Sequence, residues 1–288
     1  MVDKLLSYSG IETLSGRVYH INTMMPFFFA FVDSSSVFHV DYIGKDGERH
    51  TAALEGVRIK EHQRRIGVRD DKSDVTFSRV DPSTVLFTLP SFDEEKAPRV
   101  IDSMFSYINS EPKVKNLIID LRNNGGGSMK VMFQLLKYLP ANILPCYSDE
   151  ISSDDLDSGR VLKPQLLANP LPKRKRFNGD LYVLIDNGSY SASIIFSYYV
   201  RHDRLGLLIG EPTGSSVFTN VIANDSLDFP CGLSLKFSIA TLWLPDLEYY
   251  RDTMEPIYPD IEVSSGDALD KAFEIISSGG IKSFRKGK

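Results

Sequence analysis

From Thr84 onward, short apolar runs alternate with segments of helical spacing, and this alternation constrains the fold more than any other feature of the chain. VLFTLPSF reads as a strand, EKAPRVIDSMFSYINS as a helix, and VKNLIIDL as a near-continuous apolar run of the kind buried on both faces. MKVMFQLLKYL then predicts a second helix, NILPCYS a short strand, LYVLID a third buried strand, SASIIFSYYVRH a third helix and LGLLIG a fourth strand. Apolar strands separated by amphipathic helices make βαβ units, and these make a mainly parallel sheet with flanking helices. LSLKFSIATLWL alternates like an antiparallel strand, and DALDKAFEIISS predicts a closing helix.

Residues 1–76 differ in texture. RVYHI, FFFAFV and VFHVDYIG, then ERHTAALEGVRI after the turn signal GKDG, read as a β-rich segment, and the polar RDDKSD places a boundary near residue 76. The expected organisation is therefore a β-rich segment over 1–76 and an α/β core over 77–288. At 288 residues and 42% hydrophobic, the chain is long enough for a large core without covalent staples. Cys146 and Cys231 fit no metal-ligand spacing and read as buried small hydrophobes.

Several function classes are excluded at this level. The net charge of −5, with PKRKRF as the sole short basic run, argues against a nucleic-acid partner. MMPFFFAFV, interrupted by Pro26, is far shorter than the roughly 20 residues of a spanning helix and argues against membrane insertion. No ligand cluster such as HExxH implies a metal, and no motif implies an organic cofactor. MVDKLLSYSG has neither the basic nor the apolar region of a secretory signal, so no signal is expected in the chain as given; separately, residues 1–76 read as the remainder of a larger region. Oligomeric state is left open.

Two strand-to-helix junctions carry the chemistry. In DLRNNGGGS, Gly125, Gly126 and Gly127 follow a buried strand and precede a helix, so bare amides can face negative charge developing on a substrate oxygen. A phosphate loop is the rival reading, but neither GxxxxGK[ST] nor GxGxxG is present. In NGSYSAS, Ser189, Ser191 and Ser193 crowd one turn; one is expected to be a helix cap, another a nucleophile at the helix N-terminus. The GxSxG elbow of α/β-hydrolases is absent.

The order NLIIDLRNNGGGS, LYVLIDNGSYSAS, LGLLIGEPTG, EPIYPDIEV resembles the tail-specific or C-terminal processing serine peptidases, including their tricorn-core branch, over about residues 77–276. The resemblance implies a crotonase-like core, a peptide or protein substrate, and a periplasmic or cell-surface location. It places the nucleophile on Ser191 and the oxyanion amides on Gly126, with Gly127 beside it, and on Ala192. The family's basic residue is missing: Ser216 stands where one branch has lysine, and Thr88 where the other has histidine. Glu255 is the nearest match to a late catalytic glutamate. Glu211 could act as base, orienter or structural anchor; Lys130 reads as a solvated helix residue. His20, His39, His50 and His62 all lie in the N-terminal segment, and His202 lies three turns along the helix from Ser191. The implied function is a serine-type endopeptidase or carboxy-terminal processing protease. Two alternatives follow from the missing base and from the fold: a catalytically silent peptide-binding protein, and an acyl-thioester enzyme of crotonase type.

Overall fold

The computed structural model describes residues 11, 13–21, 23, 36–44, 46–56, 74–141, 176–217, 224–228, 234–238 and 246–282. They divide into two compact units, one drawn from residues 17–73 and the other from residues 11–16 together with 74 onward. In the smaller unit, β1 (Val37–Ile43) and β2 (Arg49–Glu55) form an antiparallel hairpin around the GKDG turn. Gly47 sits at φ 80° there, a conformation open to glycine.

The larger unit holds a six-stranded sheet. Its strands are β3 (Thr76–Asp81), β4 (Thr84–Thr88), β5 (Asn116–Asp120), β6 (Asp180–Ile185), β7 (Leu207–Gly210) and β10 (Ile261–Glu262). The order across the sheet is β10-β7-β6-β5-β4-β3, and only the β3–β4 pairing is antiparallel. A second hairpin, β8 (Asn224–Asp228) with β9 (Ser234–Ser238), accounts for part of LSLKFSIATLWL.

Because β4 to β7 lie side by side in chain order, the three crossover helices among the described residues fall on one face. These are α1 (Ala97–Ser110), α2 (Met129–Lys137) and α3 (Ala192–His202), and they pack with Phe87, Leu117, Ile119, Val183 and Leu208 in one core. The opposite side chains, Ile118, Tyr182, Leu184 and Ile209, pack under α5 (Ala268–Ser277). Burial on both faces explains why β5, β6 and β7 read as unbroken apolar runs. α3 is enclosed almost all round, from Ala192 to Val200, so its N-terminal end is held rigidly. A short helix, α4 (Leu247–Thr253), precedes the last strand.

One expectation needs correction. RVYHI is not a strand: residues 14–21 are helical, started by Thr13, whose Oγ1 accepts the Gly16 N–H at 3.1 Å. The stretch 76–81 is an edge strand of the core sheet, joined to β4 by a turn in which Asp81 Oδ1 accepts the Ser83 N–H at 2.6 Å. Residues 11–16 group with the larger unit. FFFAFV, NILPCYS, most of PKRKRF, Cys146, Cys231 and His62 lie outside the described residues.

Candidate active site

The carboxyl ends of β4 to β7 share one edge of the sheet, where crevices of open α/β sheets form. The glycine junction follows β5 and the serine junction follows β6, so adjacent strands deliver both to the same place. A Cβ added to Gly126 would lie 2.5 Å from Ser191 Cβ and 3.1 Å from Ala192 N. That approach, with φ 106° at Gly126, explains why the loop needs glycine at this position. Gly127, at φ 131°, is pressed equally hard against Phe92: a Cβ there would meet Phe92 O at 2.6 Å.

The structure separates the three serines. Ser189 is fully buried, donating to Leu121 O at 2.8 Å and accepting the Asp186 N–H at 3.1 Å. Ser193 is fully buried and donates to Asn124 O at 2.9 Å. Both hydroxyls fasten the serine turn to the glycine loop. Ser191 is half-buried, makes no side-chain cap bond, and has no hydrogen-bond partner for its hydroxyl among the described residues. Its backbone stands at φ 52°, ψ −120°, outside every basin a residue with a side chain freely adopts. Such a conformation costs about 1–3 kcal/mol and persists only where surroundings enforce it. Here Asn124 is the enforcing residue. Fully buried, it donates from Nδ2 to Leu89 O at 2.6 Å, while its carbonyl accepts the Tyr190 N–H at 2.9 Å and the Ser193 hydroxyl. Although it stands inside DLRNNGGGS, no sequence pattern marked its side chain for this role.

Asn124 also alters the oxyanion assignment. Its Oδ1 accepts the Gly126 N–H at 2.8 Å, so the amide expected to face the substrate is engaged. The next amide, on Gly127, and that of Ala192 at the start of α3 have no partner among the described residues. The flanking parallel bridge uses Gly126 O and Ser128 N–H, which turns the Gly127 N–H away from Phe92.

Behind the site, a polar network joins the ends of β5, β6 and β7. Asp186 accepts the Asn123 and Gly188 N–H groups at 2.8 and 2.9 Å, and the Ser265 hydroxyl at 3.0 Å. Ser265 in turn donates its N–H to Glu211 Oε1 at 3.0 Å and accepts Arg122 Nη1 at 2.5 Å. Arg122 grips Asp120 through Nε and Nη2, and hydrogen bonding to that carboxylate raises the guanidinium further above its ordinary range. Glu211 is thus an anchor for the 263–267 loop. No group of three or more metal-ligating side chains is present among the described residues.

Among the described residues, no hydrogen bond joins the Ser191 hydroxyl to any of the other candidates. Ser216 is fully buried, bridges to Pro256 and donates to Tyr250 O at 3.4 Å. Thr88 ends β4 opposite Asp120, and Lys130 is exposed on α2. His202, at the end of α3, pairs with Asp203 at 2.9 Å and stacks on Tyr198. His39 and His50 lie in the smaller unit's hairpin, where His50 pairs with Asp46. Glu255 accepts the Tyr249 hydroxyl at 2.5 Å, which raises the Tyr249 pKa.

The family model for peptidase family S41 matches residues 84–263, a span that takes in both junctions, the GEPTG loop and the last strand. The chain belongs to peptidase family S41. Among solved structures, mature CPAF aligns with 96% of this chain and 74% of its own at TM-score 0.62 and 12% identity, a likeness of fold. The photosystem II D1 C-terminal processing protease covers 84% at TM-score 0.49 and 16% identity, and this chain spans 60% of that protein's length. A lipoprotein from Streptococcus agalactiae covers 96%, and 87% of its own chain, at TM-score 0.48 and 14% identity. This S41 chain is therefore a serine-type peptidase, a hydrolase of peptide or protein substrates, built on a mixed α/β core with a mainly parallel sheet. Neither the peptide-binding nor the acyl-thioester alternative gains support from the comparison. No helix among the described residues is long and apolar enough to cross a membrane.

Proposed function

We propose that the chain is a carboxy-terminal processing protease or related endopeptidase in which Ser191 is the nucleophile. The observation that carries this is the backbone at φ 52°, ψ −120°, which holds one half-buried, unengaged hydroxyl at a helix N-terminus while its two serine neighbours are locked in hydrogen bonds. Ser191 Oγ attacks the scissile carbonyl as its proton passes to a base. The tetrahedral oxyanion is held by the Ala192 N–H and, on the glycine side, by the Gly127 N–H, because Gly126 serves as the close-packing residue against Ser191 and gives its own amide to Asn124. Collapse breaks the C–N bond, the amine leaves with a proton, and water hydrolyses the acyl-enzyme.

Glu255 is the carboxylate we assign to the site, held by Tyr249. The proposed catalytic core is residues 77–288, crotonase-like in architecture, with β3 completing its sheet and residues 1–76 as a separate segment that lends residues 11–16. A periplasmic or cell-surface location follows from the family resemblance. The test is fluorophosphonate labelling of the purified protein with the modified peptide mapped by mass spectrometry. Labelling confined to Ser191, and lost in Ser191→Ala, is the expected result; labelling elsewhere, or cleavage undiminished in Ser191→Ala, overturns the assignment.

A further inference from the structure

The chain passes through the core at residues 11–16, departs for the smaller unit, and returns at residue 74. That first short passage ends against the loop that follows β7. The buried Thr13 Oγ1 donates to Gly214 O at 2.6 Å, and the Ser15 Oγ donates to Thr213 O at 3.0 Å. The contact is tight as well as polar, since a Cβ on Gly16 would fall 1.9 Å from Gly214 O. Gly214 is itself wedged against the serine turn. Its N–H donates to Ser189 O at 3.1 Å, and a Cβ there would lie 2.1 Å from Tyr190 Cζ and 2.5 Å from Asn187 O. Ser189 and Tyr190 lead directly into Ser191.

We infer that Thr13, Ser15 and Gly16 are positioning residues for the nucleophile, acting through Gly214 as a second anchor, besides Asn124, of the strained turn of Ser191. This rests on the reading of Ser191 as nucleophile. A turn outside the ordinary backbone basins relaxes unless surrounding contacts enforce it. Asn124 supplies one anchor, through the Tyr190 N–H and the Ser193 hydroxyl. The Thr213–Gly214 segment supplies the other, and among the described residues it is fastened to Ile257 as well as to Thr13 and Ser15. Two hydroxyls donating to two consecutive carbonyls, with a glycine between them and the loop, make a clasp that a merely covering segment would not need.

The experiment compares wild type with Thr13→Val, Thr13→Ser, Ser15→Ala and Gly16→Ala in the full chain. It reads the second-order rate of fluorophosphonate labelling at Ser191, kcat and KM for a peptide substrate, and the melting temperature. Thr13→Val and Gly16→Ala should label about tenfold or more slowly at temperatures where they are folded, with kcat falling and KM little changed, since misplacing a reacting atom slows chemistry rather than binding. Thr13→Ser should restore the wild-type rate. Should Thr13→Val fail to fold, Ser15→Ala, which removes one half-buried hydroxyl, reads the same quantity. Folded Thr13→Val or Ser15→Ala protein that melts lower yet labels at the wild-type rate overturns the inference and leaves a structural clasp. Absence of Ser191 labelling in the wild type overturns the nucleophile assignment and this inference with it.

Discussion

The turn from Asp186 to Ser193 and the loop from Glu211 to Val217 both follow parallel strands at one edge of the same sheet, yet they are committed differently. In the turn, the Ser189 and Ser193 hydroxyls are engaged while the Ser191 hydroxyl has no partner among the described residues, and the Ser191 backbone is strained. In the loop, the side chains are spent on holding structure: Glu211 on Ser265, Thr213 on Ser215 O and Ile257, Ser216 on Tyr250. The turn leaves one hydroxyl unengaged, which is the basis for the proposed nucleophile, while Ser216 in the loop is part of the packing. The difference teaches that two loops at the ends of adjacent strands answer to separate structural constraints. The serine turn is held by the glycine loop, and the 211–217 loop by α4 and the Pro256 segment.

The largest expected effect tests the turn itself. Ser191→Ala should reduce peptide cleavage by at least about 10³-fold with the melting temperature unchanged or raised, because it removes the attacking atom and relieves nothing else. Residual cleavage within tenfold of wild type would break the comparison at its root. Gly126→Ala comes next. The added Cβ would lie 2.5 Å from Ser191 Cβ at a backbone φ of 106°, so a shift of about 1 Å is forced and a loss of about 10²-fold in kcat is expected. Full activity in that variant would mean the glycine loop and the serine turn are not packed as described.

A smaller rate effect is expected at Glu255→Gln, which keeps shape and removes charge. If this carboxylate serves the site, cleavage should drop about tenfold, the scale of one charge-assisted hydrogen bond, while the melting temperature holds. No change in kcat would remove Glu255 from the machinery. Ser216→Lys probes the loop directly. Ser216 is fully buried beside Pro256 and Tyr250, so a lysine there meets an apolar wall, and stability should fall by about 3 kcal/mol or more with no gain in rate. A rise in the Ser191 labelling rate would show instead that the loop can still deliver a base, and the contrast between the two regions would reduce to one side chain.

Much of this architecture was legible from local pattern. Strands buried on both faces announce themselves as unbroken apolar runs, and the order of four such runs with helices between them was enough for the parallel sheet. The glycine and serine junctions were legible too, because only a few backbone geometries need three glycines in a row. What stayed hidden depends on contacts between residues far apart in the chain. Ser189 bonds to a carbonyl 68 residues away and Ser193 to one 69 away, so three serines of equal chemistry could not be ranked before the fold was known. The engagement of Gly126 by Asn124 is a side-chain orientation inside a motif, which spacing does not encode. The clasp at Thr13 joins positions 201 apart. RVYHI misled for a different reason: five residues cannot separate a period of 2 from one of 3.6, and the cap that decides it, Thr13, lies upstream.

The smallest effect on catalysis is expected where the comparison is finest, within the serine turn. Ser189→Ala removes a buried hydroxyl that both donates to Leu121 O and accepts the Asp186 N–H, leaving two backbone groups without that partner. Stability should drop by about 1–3 kcal/mol, the usual cost of unpaired buried polar groups. Yet Ser191 labelling should stay within about threefold of wild type at a temperature where the variant is folded, because Asn124 still holds Tyr190 and Ser193 from below. Labelling rate and melting temperature measured on the same preparation decide it. A rate that collapses with stability intact would make Ser189 part of the reaction rather than of its frame, and would place two working serines in one turn.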